Sequence, residues 1–165
     1  FIIVKNMNYL SYLLRAHTEY NLHSPYIFQF YNEIINSKID RHTVHPPLRH
    51  HEQVIYKIAS TFRPHSIYLS NQIPKSRIEQ ILHHAIDHIQ YTLSPTEARL
   101  VITTNYDPFI TLHPEAIIIL YNPHKQGSNL EAMTHSTTIN ITIDLYHIAI
   151  GMYRKELRQQ YFILR

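Results

Sequence analysis

Glycine is almost missing from this chain: there are two in 165 residues, Gly127 and Gly151, where about 7% is usual. Neither follows a strand into a helix, so the glycine-rich turns that cradle phosphates or bare a strained nucleophile have nothing to form from. Cysteine is absent, which excludes disulfides and thiolate metal sites and suits a cytoplasmic protein. No apolar run approaches the roughly 20 residues needed to cross a bilayer. The opening Phe1-Ile2-Ile3-Val4 is too short for a signal-peptide core and has no small-residue cleavage site behind it. A basic run is lacking too. The net charge of +3 is carried by dispersed Lys and Arg, so nucleic acid is not an expected partner.

What is present describes a folded domain. Hydrophobic residues make up 44% and charged residues 16%, the balance of a globular chain rather than a disordered one. The length suits one domain, residues 1–165, with its own core. Fourteen histidines will add much positive charge as pH falls towards 6. The 13 tyrosines and six phenylalanines read as packing residues rather than a base-stacking platform.

The order of elements is helices first, then strands and helices in alternation. Asn6 to about Tyr20 has Met7, Leu10, Leu14 and His17 at helical spacing. Ser24 and Pro25 then fit an N-cap and first helical position, opening a helix to about Asn36. A third helix spans about Leu48 to Phe62. Strands are expected at Ile67 to Leu69, His88 to Thr92, Leu100 to Thr104 and Ala116 to Tyr121. The last two have the continuous apolar character of central parallel strands. Ser76 with Glu79, Ser94 with Glu97, and Ser128 with Glu131 have capping-box spacing. From Thr138 to Leu145 the alternation predicts a half-exposed strand, with Ile139, Ile141, Ile143 and Leu145 inward and Thr138, Asn140, Thr142 and Asp144 outward. Ile148 to Tyr153 would pair back on it, and Tyr161 to Leu164 adds a terminal strand. Only Leu93 to Arg99 separate the second and third strands. Either a strand–helix unit is missing there or the two are not parallel neighbours, and the first is the favoured expectation. The fold class is therefore α/β, with residues 1–63 a helical extension and 64–165 the sheet-bearing core.

Both ends of the chain carry a family likeness. Tyr12 to Phe28, above all His23-Ser24-Pro25-Tyr26-Ile27-Phe28, resembles the entry helices of a bacterial group of class I S-adenosylmethionine-dependent methyltransferases. Thr142-Ile143-Asp144-Leu145-Tyr146-His147, with Gly151, Tyr153-Arg154-Lys155 and Phe162, is similar to that group's closing strands. Ile118 to His124 resembles its fifth strand, which usually ends in a D-D-x-H type sequence. The likeness implies a Rossmann-like, mostly parallel sheet with an antiparallel C-terminal strand, and a cofactor site at the carboxyl ends of the first two strands.

At that site the chain departs from the family pattern. The turn after Leu69 is Ser70-Asn71-Gln72-Ile73-Pro74, with Asn71 able to turn and Gln72 and Ile73 expected to crowd a ligand. No acid stands in Gln90 to Ser94 to hold ribose hydroxyls; Glu97 is the nearest. Cofactor-binding candidates, if the site works at all, are Asn71, Glu97 and Asn105, with Asp107, Asn122 and His124 as further pocket candidates at strand ends. The turn-forming tendency of Asn, Asp and Pro explains the same residues without a ligand. His84 and His88 have the spacing of two metal ligands on one helical face, but the helix should end near Ile86, so no metal site is expected. The expectation is a degenerate, non-catalytic methyltransferase-like domain with no cofactor. The alternative is an active enzyme using S-adenosylmethionine through an atypical turn. A start without methionine and a shortened sheet also fit a decaying gene copy. No membrane partner is expected, and homo-oligomerisation is left open.

Overall fold

Apolar runs and helical stripes assemble here into a seven-stranded mixed sheet with helices. The computed structural model describes residues 9–16 and 24–164; the readings on residues 1–4, Met7, His17 and His23 lie outside them. In chain order the elements are α1 (Tyr9–Arg15), α2 (Pro25–Phe30), α3 (His50–Phe62), β1 (Ser66–Leu69), α4 (Lys75–Ala85), β2 (Gln90–Tyr91), β3 (Leu100–Thr103), β4 (Ile117–Tyr121), α5 (Leu130–Thr134), β5 (Ile141–Asp144), β6 (Ile148–Met152) and β7 (Gln160–Ile163). A π-helical turn, Tyr31–Ile35, prolongs α2, and Ser24 caps it as expected, accepting from the Ile27 N–H. No helix among the described residues is long and apolar enough to cross a membrane.

The strand order is β2-β1-β3-β4-β6-β5-β7. The first four are mutually parallel, β6 is antiparallel to both its neighbours, and β7 lies parallel to β5. The opposed strand is thus β6, the last but one, and the C-terminal strand runs with the majority at the sheet edge. β3 and β4 sit side by side in the middle, as their unbroken apolar sequences require. β1 separates β2 from β3, so these two are not neighbours, and the connection between them holds a 3-10 turn, Pro95–Glu97, with no strand–helix unit. Ser66 braces that connection, donating to the Glu97 carbonyl while accepting from the Arg99 N–H.

Two cores lie on opposite faces of the sheet. The larger packs α2, α3 and α4 over one face of the strands, with Ile67, Ile102, Ile119, Ile143 and Ile150 among its members. The smaller sets Val101, Ile118, Leu120 and Ala149 against Tyr106, Leu130 and Met133. Gly151 lies on this second face for want of space. A Cβ there would stand 2.6 Å from Ile118 Cγ2, 3.1 Å from Met133 Sδ and 3.2 Å from Ile139 Cδ1. Gly151→Ala should therefore cost about 1–3 kcal/mol by overpacking, read as a lowered urea midpoint.

Several local expectations are corrected. α4 starts at Lys75 behind Pro74, so Ser76 lies inside the first turn rather than at the cap. α5 starts behind Asn129, which is held left-handed at φ 57° and gives it no side-chain cap, while the Ser128 hydroxyl donates to the Pro123 carbonyl. Ser94 does cap a short 3-10 turn, Pro95–Glu97, through the Thr96 N–H. The largest correction concerns β5. Asn140, Thr142 and Asp144 are buried, not outward, because β7 covers the strand's outer edge and α1 with its neighbours lies over its second face, Tyr12 packing with Ile163 and Tyr146.

Candidate functional site

Strand order reverses at β1: the chain goes outward to β2 and then returns across β1 to β3. In open α/β sheets the crevice at such a reversal, by the carboxyl ends of the strands, is where ligands sit. A cleft of about 330 Å³ lies there, near the lower end of the range for ligand pockets. Tyr68, Val101 and Ile118 line it from the strands, Tyr106, Ile110 and Leu112 from the β3–β4 connection, and Ser70, Asn71, Gln72, Thr103, Asn105 and Asp107 from the strand ends and turns.

Three sequence candidates, Asn71, Asn105 and Asp107, meet in this cleft. Asp107 is its single carboxylate, and its Oδ1 accepts from the Phe109 N–H at 2.9 Å, which shapes the turn. Asn105 closes a small loop with Thr103, which donates through Oγ1 to the Asn105 carbonyl at 3.0 Å. Asn71 is not among the left-handed residues, which are Arg63, Asn122, Asn129, Tyr146 and Gly127 in the described chain. The turn after β1 thus forms without a positive φ there.

Gln72 and Ile73 part company. Ile73 turns into the main core and crowds nothing in the cleft, contrary to expectation. Gln72 faces the cleft, where its Oε1 accepts from the Thr104 hydroxyl at 2.6 Å, tying the β1 turn to the end of β3. Sequence reasoning missed Ser70. Its hydroxyl is buried on the cleft wall with no partner among the described residues, and a polar side chain ending an apolar strand was the available signal. No lysine, arginine or histidine lines the cleft. It can offer hydroxyls, carboxamides and one carboxylate, a set suited to a neutral or cationic polar ligand rather than a phosphate.

The remaining candidates lie elsewhere. Glu97 is exposed on its 3-10 turn and does not line the cleft. Asn122 is a left-handed turn residue at φ 53°. His124 joins a buried polar cluster instead: its Nε2 lies 2.9 Å from Asp144 Oδ2, and the Asp144 side chain is fully buried. The Tyr161 hydroxyl donates to Oδ2 and the Tyr146 N–H to Oδ1, at 2.9 and 2.8 Å. Burial, and then the Asp144 charge beside it, push the Tyr161 phenol up, keeping it a proton donor. A carboxylate only accepts, so His124 Nε2 carries its proton toward Asp144, leaving a buried Nδ1 without a partner among the described residues. Tyr146 stacks on the imidazole and Tyr12 meets it edge-on. The cluster joins the turn after β4 to β5, β7 and α1, which makes it a structural knot.

His51 forms another such contact, 3.2 Å from the Tyr121 hydroxyl and with its ring centroid 5.2 Å from that of His147. Burial first, then His147, lowers it to about 4, with Arg49 and His50 adding and Glu52 opposing. Its folded value is below its unfolded one, so between about pH 6.5 and 4 the unfolded chain takes up a proton that the folded one refuses. The associated stability is present above pH 6.5 and is lost as pH falls, by about 1.4 kcal/mol per unit. Urea unfolding at pH 7 and pH 5 should show a smaller acid loss in His51→Gln than in wild type, by roughly 2 kcal/mol.

Among the described residues no group of three or more His, Asp or Glu is placed to hold a metal ion. α4 ends at Ala85, so His88 is not on the helical face of His84. Compared with known proteins, the chain matches no family model, no curated protein and no solved structure. The methyltransferase resemblance rests on the sequence motifs given above.

Proposed function

We propose that this chain is a degenerate, non-catalytic methyltransferase-like domain, with a Rossmann-like sheet kept as a binding or structural module. The supporting topology is a strand order that reverses at β1 and an opposed strand, β6, near the C-terminus. The observation that carries the loss of activity is Gln72. In a working cofactor turn, bare backbone meets the ligand. Here a carboxamide held 2.6 Å from Thr104 Oγ1 takes that place, and the end of β2 supplies no carboxylate for ribose hydroxyls. Each missing hydrogen-bond partner costs a buried polar ligand about 1–3 kcal/mol.

The rival reading, an active enzyme using S-adenosylmethionine through an atypical turn, draws on two features of the cleft: the unpartnered Ser70 hydroxyl and the Asp107 carboxylate. Calorimetric titration of the purified chain with S-adenosylmethionine separates the two. Binding weaker than about 1 mM, or about −4 kcal/mol, is expected. Micromolar one-to-one binding that is lost in Asp107→Ala would favour the enzyme.

A further inference from the structure

The opposite end of the sheet holds a cleft of a different chemistry. It measures about 430 Å³ and is lined by Arg63, His65, Arg99 and Arg154, with Glu115 as its one carboxylate. Topology brings these residues together. Arg63 and His65 stand in the α3–β1 turn, Arg99 directly precedes β3, and Glu115 precedes β4. Because β6 runs antiparallel to β4, with Met152 opposite Ile117, its carboxyl end delivers Arg154 to the same rim.

The arginines are not all spent on carboxylates. Arg99 pairs with Glu115 through Nη1 alone, keeping its other N–H donors for a ligand, and Arg63 and Arg154 have no carboxylate partner among the described residues. Arg154 is aimed by Tyr26: its Nε donates to the Tyr26 hydroxyl at 2.8 Å, and its guanidinium carbon stands 5.1 Å from the ring centroid. Arg63 ends α3 in the left-handed region, at φ 43° and ψ 56°. Glycine or asparagine is the usual residue there, and an arginine bears strain. Its exposed guanidinium has no hydrogen-bond partner among the described residues. Next to the charges lies an apolar wall. Phe62, 38% exposed, borders both this cleft and an adjoining hollow of about 200 Å³, where Tyr26, Phe30 and Ile34 form the apolar wall, Gln29, Glu33 and Thr61 the polar rim, and Arg154 is shared between the two.

We propose that this arginine-lined cleft is a binding site for a small molecule with a phosphate or carboxylate head and an apolar body. The head lies between Arg63, Arg99 and Arg154, where guanidinium forks match either oxyanion, and the body lies along Phe62 towards Tyr26 and Phe30. This site is separate from the switch-point cleft and stands whether or not that cleft binds a cofactor.

The test is titration of the full chain, at constant ionic strength, with phenyl phosphate, benzoate, inorganic phosphate and benzyl alcohol. One-to-one binding of phenyl phosphate or benzoate is expected, tighter than inorganic phosphate, with no saturable binding of benzyl alcohol. Whichever aromatic anion binds more tightly identifies the head group. Arg63→Gly relieves the left-handed strain, so its melting temperature should equal or exceed wild type while its affinity for the anion falls roughly tenfold. Arg99→Gln should weaken binding as well. Equal binding of benzyl alcohol, wild-type affinity in both variants, or no saturation by either aromatic anion below about 10 mM would overturn the proposal.

Discussion

Asp144→Ala is expected to destabilise the fold by about 3–5 kcal/mol, because each buried donor it leaves unpaired costs about 1–3 kcal/mol. The Asp144 side chain is fully buried, and its two oxygens accept from His124, Tyr161 and the Tyr146 backbone N–H. Alanine leaves all three donors facing one another without an acceptor, and no water reaches a site this deep at low cost. Asp144→Asn keeps the shape and one acceptor oxygen but turns an amide donor toward existing donors, so it should fall between alanine and wild type. Urea unfolding at pH 7 measures both. A loss below about 1 kcal/mol for alanine would show that the cluster is solvated and peripheral.

Ile141→Ala should cost about 2–5 kcal/mol, and the neighbouring Thr142→Val almost nothing. Ile141 is wholly buried in the main core, on a strand flanked by both β6 and β7. Removing its side chain leaves a cavity that three fixed elements cannot collapse to fill. Thr142 is equally buried, but its hydroxyl has no partner among the described residues. Valine has nearly the same shape and removes an unpaired polar group, so stability should hold or rise slightly. An outward-facing Thr142 would give no such gain, and a loss above about 1 kcal/mol in Thr142→Val would mean that the hydroxyl has a bonding partner.

These two residues also mark what the sequence could reveal. Continuous apolar runs such as Leu100 to Thr104 and Ile117 to Tyr121 announce central strands, because only a strand covered on both faces tolerates them. Alternation is less informative. Period two separates Ile141 from Thr142, but it cannot say whether the polar side meets water or a buried partner. Two of the partners of Asp144, His124 in the turn after β4 and Tyr161 in β7, are distant in the chain, so nothing local to β5 discloses them. Turn chemistry fails for a similar reason. Ser76 and Ser128 had capping spacing, but Pro74 and the left-handed Asn129 set where the helices start. At the switch point, Asn71, Asn105 and Asp107 were legible as strand-end polar residues. One residue along the turn decides whether a side chain enters the core, as Ile73 does, or the cleft, as Gln72 does, and no local pattern tells the two apart.

The proposal of a degenerate methyltransferase-like domain, its turn after β1 closed to a cofactor, is tested most directly by amide NMR of the chain during titration with S-adenosylmethionine. The account predicts no saturable shifts at Ser70, Asn71, Gln72 or Thr104 below about 1 mM ligand. Saturating one-to-one shifts at these residues with micromolar affinity, accompanied by release of the Gln72–Thr104 contact, would contradict it.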